Sequence, residues 1–331
     1  MTFTQKITGE IYAFSQLVRR HCKVFLKDGM AVFFSLLAPL IVFMLYILFL
    51  GEIQADTVAG FFPEGMPVPD DGVRAFVDSW MVAGVLGVAC ITVSFSANSV
   101  MVQDKCRGQI RDCLVSPVRK QTVTLAYFAF NFIVTVAIVT VGCLIAFVYL
   151  AATGRFMLSA GEAFAVIGTI LFSSLSSTLF SVLVCALFRT EGALSGFVGI
   201  VSAAIGFLIG AYMPMSAFPD GVEYVAALLP GTHSAGLFRN FLMSGALENL
   251  TAGLPQAAHD GIAEAFSMEI DLFGANVGTD IMAVYIAGSI VLFAVLNLVL
   301  GTRLLNLPSY GGASKLFRRG KRGKDEGAKR K

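Results

Sequence analysis

Charge is what this sequence has least of. Asp, Glu, Lys and Arg make up 14% of its 331 residues, against about 25% in soluble domains. Hydrophobic residues make up 56%, and the mean hydropathy is +0.77. A chain this apolar reads as a polytopic membrane protein. The formal net charge of +2 gives no reason to expect nucleic acid as a partner. No Asp, Glu, Lys, Arg or His falls in the middle of a long apolar run. Proton- and ion-coupled carriers keep ionisable or coordinating groups there, so an intramembrane relay is not the expected energy source. No G-x-x-x-x-G-K-[ST] phosphate loop occurs, so no cofactor is expected on this chain, ATP included. His21, His233 and His259 are scattered, without a Ser-His-Asp set or metal-ligand spacing; neither catalysis nor a bound metal is expected. Cys22, Cys90, Cys106, Cys113, Cys143 and Cys185 offer no extracellular disulfide framework. A basic, non-apolar arm precedes the first apolar run, so that run reads as a retained span, not a signal peptide.

What is present is six apolar runs, each long enough for a hydrocarbon core that needs about 20 residues. They cover roughly 31–50, 76 or 80–102, 122–151, 163–188, 193–213 and 281–300, with Pro39 a kink in the first. Before them, residues 1–30 hold an amphipathic helix. Ile11, Phe14, Val18, Cys22 and Phe25 form its apolar stripe, and Arg19, Arg20, Lys23 and Lys27 lie opposite. The cations cluster before span one, between spans two and three, at Arg189 and in a basic tail over 303–331, leaving Arg74, Arg155 and Arg239 on the other side. The positive-inside rule then places both termini in the cytosol. The opposite loops are acidic, with Glu52, Asp56, Asp70, Asp71 and Asp78 in the first. Within the spanning region 31–302, residues 214–244 read as a re-entrant outer hairpin with Asp220 as a helix N-cap. Residues 245–280 read as an added outer segment, with a helix from Gln256 to Phe273.

The most informative stretch is 103–118, Q-D-K-C-R-G-Q-I-R-D-C-L-V-S-P-V. On one helix at about 100° per residue, Cys106, Ile110, Cys113 and Leu114 share a face, and Asp104, Arg107 and Arg111 share the other. Ser116-Pro117 punctuates the end. This run resembles the segment between the second and third spans of type-2 ABC transporter membrane subunits, the permeases of ABC exporters. Asp104-Lys105, Gly108, Ile110, Leu114 and Ser116-Pro117 carry the resemblance; Gln109 and Arg111 depart from the usual Thr and Glu. It implies an all-α integral membrane fold with six transmembrane helices and cytoplasmic termini. An amphipathic N-terminal helix and a cytoplasmic coupling helix at 103–118 complete that picture.

The function so implied is outward transport of a hydrophobic or amphipathic substrate: a drug, peptide or lipid-like molecule. The resemblance implies a separate ABC ATPase subunit, two copies per complex, holding ATP and Mg. It also implies a second permease copy, as homo- or heterodimer, in the plasma membrane. The coupling residues would be Asp104, Lys105, Arg107, Gly108, Ile110, Arg111, Leu114, Ser116 and Pro117. Ser94, Asn98, Ser202 and Gly206 are the candidates for the translocation path. An ion-coupled secondary carrier and a non-transporting membrane scaffold or sensor stay open as other readings.

Overall fold

A computed structural model describes residues 3–63, 67–116, 118–272 and 275–305. Pro117 and the basic tail beyond 305 lie outside the described residues. Among those residues, six helices are long and apolar enough to cross a membrane. Span one is Gly29–Ala59, span two Asp70–Cys106, span three Lys120–Ala152, span four Ala160–Cys185 and span five Glu191–Leu208. Span six is Thr279–Leu305. The expected six-span, all-α architecture is therefore what the structure has. One antiparallel pair of short strands, Ile270–Leu272 and Ala275–Val277, is the only sheet in the described residues.

Span two is the axis. Nearly its whole length is buried, whereas spans one, three, five and six keep broad apolar faces open to the bilayer. Small residues let its neighbours close in: Gly84 faces Ala211 and Gly87 faces Ala235 at van der Waals contact. Span one carries Pro39 and, further on, a π-helical turn at Tyr46–Leu50 before α-helix resumes at Gly51–Ala59. Side chains close several helix starts. Asp28 accepts from the Ala31 amide, Thr190 from the Ala193 amide, and Ser159 forms a reciprocal capping box with Glu162. The N-terminal helix, Phe3–Lys27, packs against span three.

After span five the chain forms a helical hairpin, Asp220–Ala227 and Pro230–Leu250. The second helix runs antiparallel to span two: Gly231 meets Ile91, Ala235 meets Gly87 and Leu250 meets Gly72. Its start therefore reaches the level of the middle of span two. Three sequence expectations change here. Pro219, in an extended conformation, occupies the N-cap, and Asp220 is the first helical residue. The added helix is Gln256–Ala265, stopping before Ser267, whose φ of 54° leaves the helical region, and the strand pair follows. Asp78, expected in an outer loop, is buried, as is Arg239 in the second helix of the hairpin. Span two begins earlier than its apolar run suggests, which carries Asp78 inside the bundle. There Tyr46 Oη donates to one carboxylate oxygen at 2.5 Å and Arg155 Nη1 to the other at 2.6 Å.

Gly245 packs so tightly that a Cβ there would sit 2.1 Å from the Met157 carbonyl oxygen, whereas Gly168 faces open space. Replacing glycine by alanine in a helix gains about 1 kcal/mol of propensity. At Gly245 the backbone clash outweighs that gain. Gly245→Ala is expected to lower Tm by about 3 °C or more, and Gly168→Ala to leave it unchanged or raise it, in a thermal unfolding assay of the purified protein.

Candidate functional site

The run 103–118 is not one helix. Span two ends at Cys106, Gly108 takes the left-handed conformation at φ +83°, and a short helix restarts at Gln109–Val115. Residues on the two sides of Gly108 therefore do not share one helical wheel, which is why the two-faced surface read from sequence does not hold. A Cβ at Gly108 would meet nothing within 4 Å, so its glycine answers to backbone geometry, not space.

Asp104, expected on the exposed face, points into the bundle and is 4% exposed. Arg20 of the N-terminal helix grips it through both carboxylate oxygens, at 2.6 and 2.8 Å. Tyr127 of span three donates to it at 2.7 Å. The same guanidinium donates to Gln109 Oε1. The departure from the family pattern at Gln109 is thus filled by a second acceptor for Arg20. His21 lies beside this cluster, stacked on Tyr127 with ring centroids 4.2 Å apart and Nε2 3.6 Å from Asp104. Burial pushes the imidazole down to about 4, against the upward pull of the Asp104 carboxylate.

Lys105 is also buried, and its Nζ donates to the carbonyls of Ala186 at 2.8 Å and Phe188 at 3.2 Å. These are free carbonyls at the end of span four, where a cation is favoured by the helix dipole. Cys106 Sγ reaches the Arg189 carbonyl at 3.4 Å. Arg107, 60% exposed, lies 3.7 Å from Glu191 at the start of span five. Ile110 is buried, and Ser116 Oγ donates to the Cys113 carbonyl at 2.5 Å. Arg111 and Leu114 lie in the short helix, their side chains outside the described residues, as is Pro117. Glu10, on the N-terminal helix, accepts from the Arg119 amide at 3.1 Å and the Thr122 hydroxyl at 2.5 Å, where span three begins. The turn 104–109 is thus a hub. It bonds to the N-terminal helix and to the ends of spans three, four and five, and leaves Arg107 and Val115, 86% exposed, on its outer surface.

The residues proposed for a path separate. Ser94 and Asn98 are buried and bond to Ser181, at 2.5 and 2.9 Å, packing span two against span four. Asn131 of span three donates to the Ser94 carbonyl at 2.8 Å. Gly206 is a notch: a Cβ there would lie 2.4 Å from the Tyr212 ring. Ser202 does line a cavity. It holds about 630 Å³ between spans one, two and five near the basic end of the bundle, with Phe34, Ile41, Ser99, Gln103 and Ser195 among its walls. At the other end of span five, Arg239 is fully buried and donates to the carbonyls of Ile209 at 2.9 Å, Gly210 at 2.7 Å and Ser267 at 3.3 Å.

Sequence reasoning missed Arg20, Glu10 and Tyr127, since no local signal pairs residues that lie 84 or more positions apart, or 23 apart across a turn. Asp104→Asn removes a buried charge partner, but Arg20 can still reach water, so the expected loss is roughly 2–3 kcal/mol, measured by thermal or denaturant unfolding. His21 is held neutral in the folded state. Its contribution is complete above the ordinary imidazole value of 6.5 and is lost as pH falls toward about 4. Stability should decline through that window, and His21→Phe should flatten the decline.

No curated protein matches the chain. Residues 62–301 match the profile described as ABC-2 family transporter protein. Covering more than half of the chain, this match agrees with the six spans and with the resemblance carried by 104–117. The chain belongs to the ABC-2 family of transporter proteins, as a multi-pass membrane permease subunit of an ABC transporter.

Proposed function

We propose that this subunit exports a hydrophobic or amphipathic molecule, driven by a pair of ABC ATPase subunits that dock on the turn after span two. The subunit acts with a second permease copy in the plasma membrane, the basic end facing the cytosol. The observation that carries the reading is the hub: one turn holds the ends of three spans and the N-terminal helix, so a push on it is distributed across the bundle. Asp104 and Lys105 serve this role from inside, by fastening the turn to its own bundle. Arg107, Val115 and the short helix Gln109–Val115 supply the surface a partner would touch. The cavity between spans one, two and five opens beside the hub, with apolar walls and a few hydroxyl and amide groups. Such a lining suits a lipid-like or drug-like cargo better than a small ion.

Arg107 and Val115 separate docking from folding. The Arg107–Glu191 pair is exposed and contributes little stability. Arg107→Glu and Val115→Asp are expected to leave Tm within about 2 °C. They should lower, by tenfold or more, the amount of Walker-type ATPase that co-purifies with the subunit in mild detergent, and the ATPase activity of that complex. Full recruitment and full activity in the double variant would remove the docking surface from this turn. Transport that persists in cells deleted for every such ATPase would favour an ion-coupled carrier instead.

A further inference from the structure

A second large cavity lies on the opposite face of span one from the 630 Å³ cavity. It is a groove of about 560 Å³ between spans one and three, floored by span two. Met81 and Val82 form the floor and are 2% exposed. Leu40 and Phe43 on one rim, and Val141 and Ile145 on the other, stand open to the bilayer. The groove exists because span three presents small residues there, Ala137, Gly142 and Ala146, and because nothing lies within 4 Å of a Cβ placed on Gly142. It follows span three from Ala137 to Tyr149, about 18 Å at 1.5 Å per residue. That is close to the depth of one leaflet of a hydrocarbon core roughly 30 Å thick.

Its far end is polar. Span three stops in a Schellman turn: Gly154 takes φ +71° and the Arg155 amide bonds back to the Leu150 carbonyl at 2.8 Å. This turn brings Arg155 onto Asp78, which Tyr46 also holds. Arg155 keeps a quarter of its side chain exposed. Tyr149 closes the groove just below. An apolar slot about one leaflet long, open sideways to lipid and ending at the Tyr149 phenol with the Arg155 guanidinium beside it, matches one kind of occupant. A chain of matching length fills the slot, and a phosphate meets donors at its lip.

The geometry points to a resident phospholipid of the leaflet at the acidic end of the bundle, with one acyl chain in the groove between spans one and three and its phosphate at Arg155. This lipid is a fixed component of the subunit, separate from the cargo and from the ATPase surface, and its presence does not depend on the transport reading.

Native mass spectrometry of the full chain, purified in mild detergent from membranes containing phosphatidylethanolamine and phosphatidylglycerol, tests this. The wild type is expected to retain one phospholipid per protomer after detergent is stripped. Gly142→Leu puts a branched side chain into the groove at a position where a Cβ meets nothing within 4 Å, and should lower that occupancy at least fivefold. Gly168→Leu adds the same bulk to an exposed glycine on span four, also with nothing within 4 Å, and should leave occupancy unchanged. Equal retention in wild type and Gly142→Leu would overturn the proposal, and so would an equal loss in both leucine variants, the behaviour of annular lipid. If Gly142→Leu left lipid unchanged but dissociated a dimer, the groove would be a contact between copies, and the proposal would fail.

Discussion

Three buried or half-buried charges in this bundle do the same physical work: each closes the end of a helix that is not its own. A helix end leaves four backbone groups unpaired and carries about half a charge. Within or beside a membrane, water is a poor remedy for both. Glu10 closes the start of span three, Lys105 the end of span four and Arg239 the end of span five. In each case the opposite sign of charge meets the dipole. The backbone thus supplies part of the partial charge that compensates each of these ions.

The arrangement also fixes what moves with what. Lys105 belongs to the last turn of span two, so span two and the end of span four share one joint. Asp104, its neighbour, joins the same turn to the N-terminal helix and span three. At the opposite end Arg239 ties the turn after span five to Ser267 of the added outer segment, and Ser267 Oγ accepts from the Met215 amide at 2.8 Å. The added segment is thus fastened to span five, not hung from the bundle as a loose loop.

Much of this was legible in the sequence. Apolar runs of about 20 residues mark spans because only a closed helix satisfies its backbone in lipid. The chain turns after span two at Gly108, within the polar stretch that the sequence singles out. What the sequence concealed was direction. Asp104 looks solvent-facing on a helical wheel with Arg107 and Arg111, but it is buried against Arg20 and Tyr127, and the left-handed residue at Gly108 ends that wheel. Asp78 looks like a loop charge because hydropathy registers its cost and not its partners. Ser94 and Asn98 look like a polar wall, yet their partner Ser181 lies more than 80 positions away. In each case a contact distant in sequence decided the orientation, and no local pattern encodes it.

The π-helical turn at Tyr46–Leu50 carries a geometric consequence for span one. A π-turn holds one more residue than an α-turn, so every side chain after it is rotated by about 100° from where an unbroken helix would place it. With that extra residue, Gln54 and Val58 face the core while Tyr46, the first residue of the turn, faces Asp78. Removing a single residue between 46 and 50 would restore a regular helix and turn Val58 out toward lipid. The irregular turn is the phase adjustment that lets one helix serve two differently oriented surfaces.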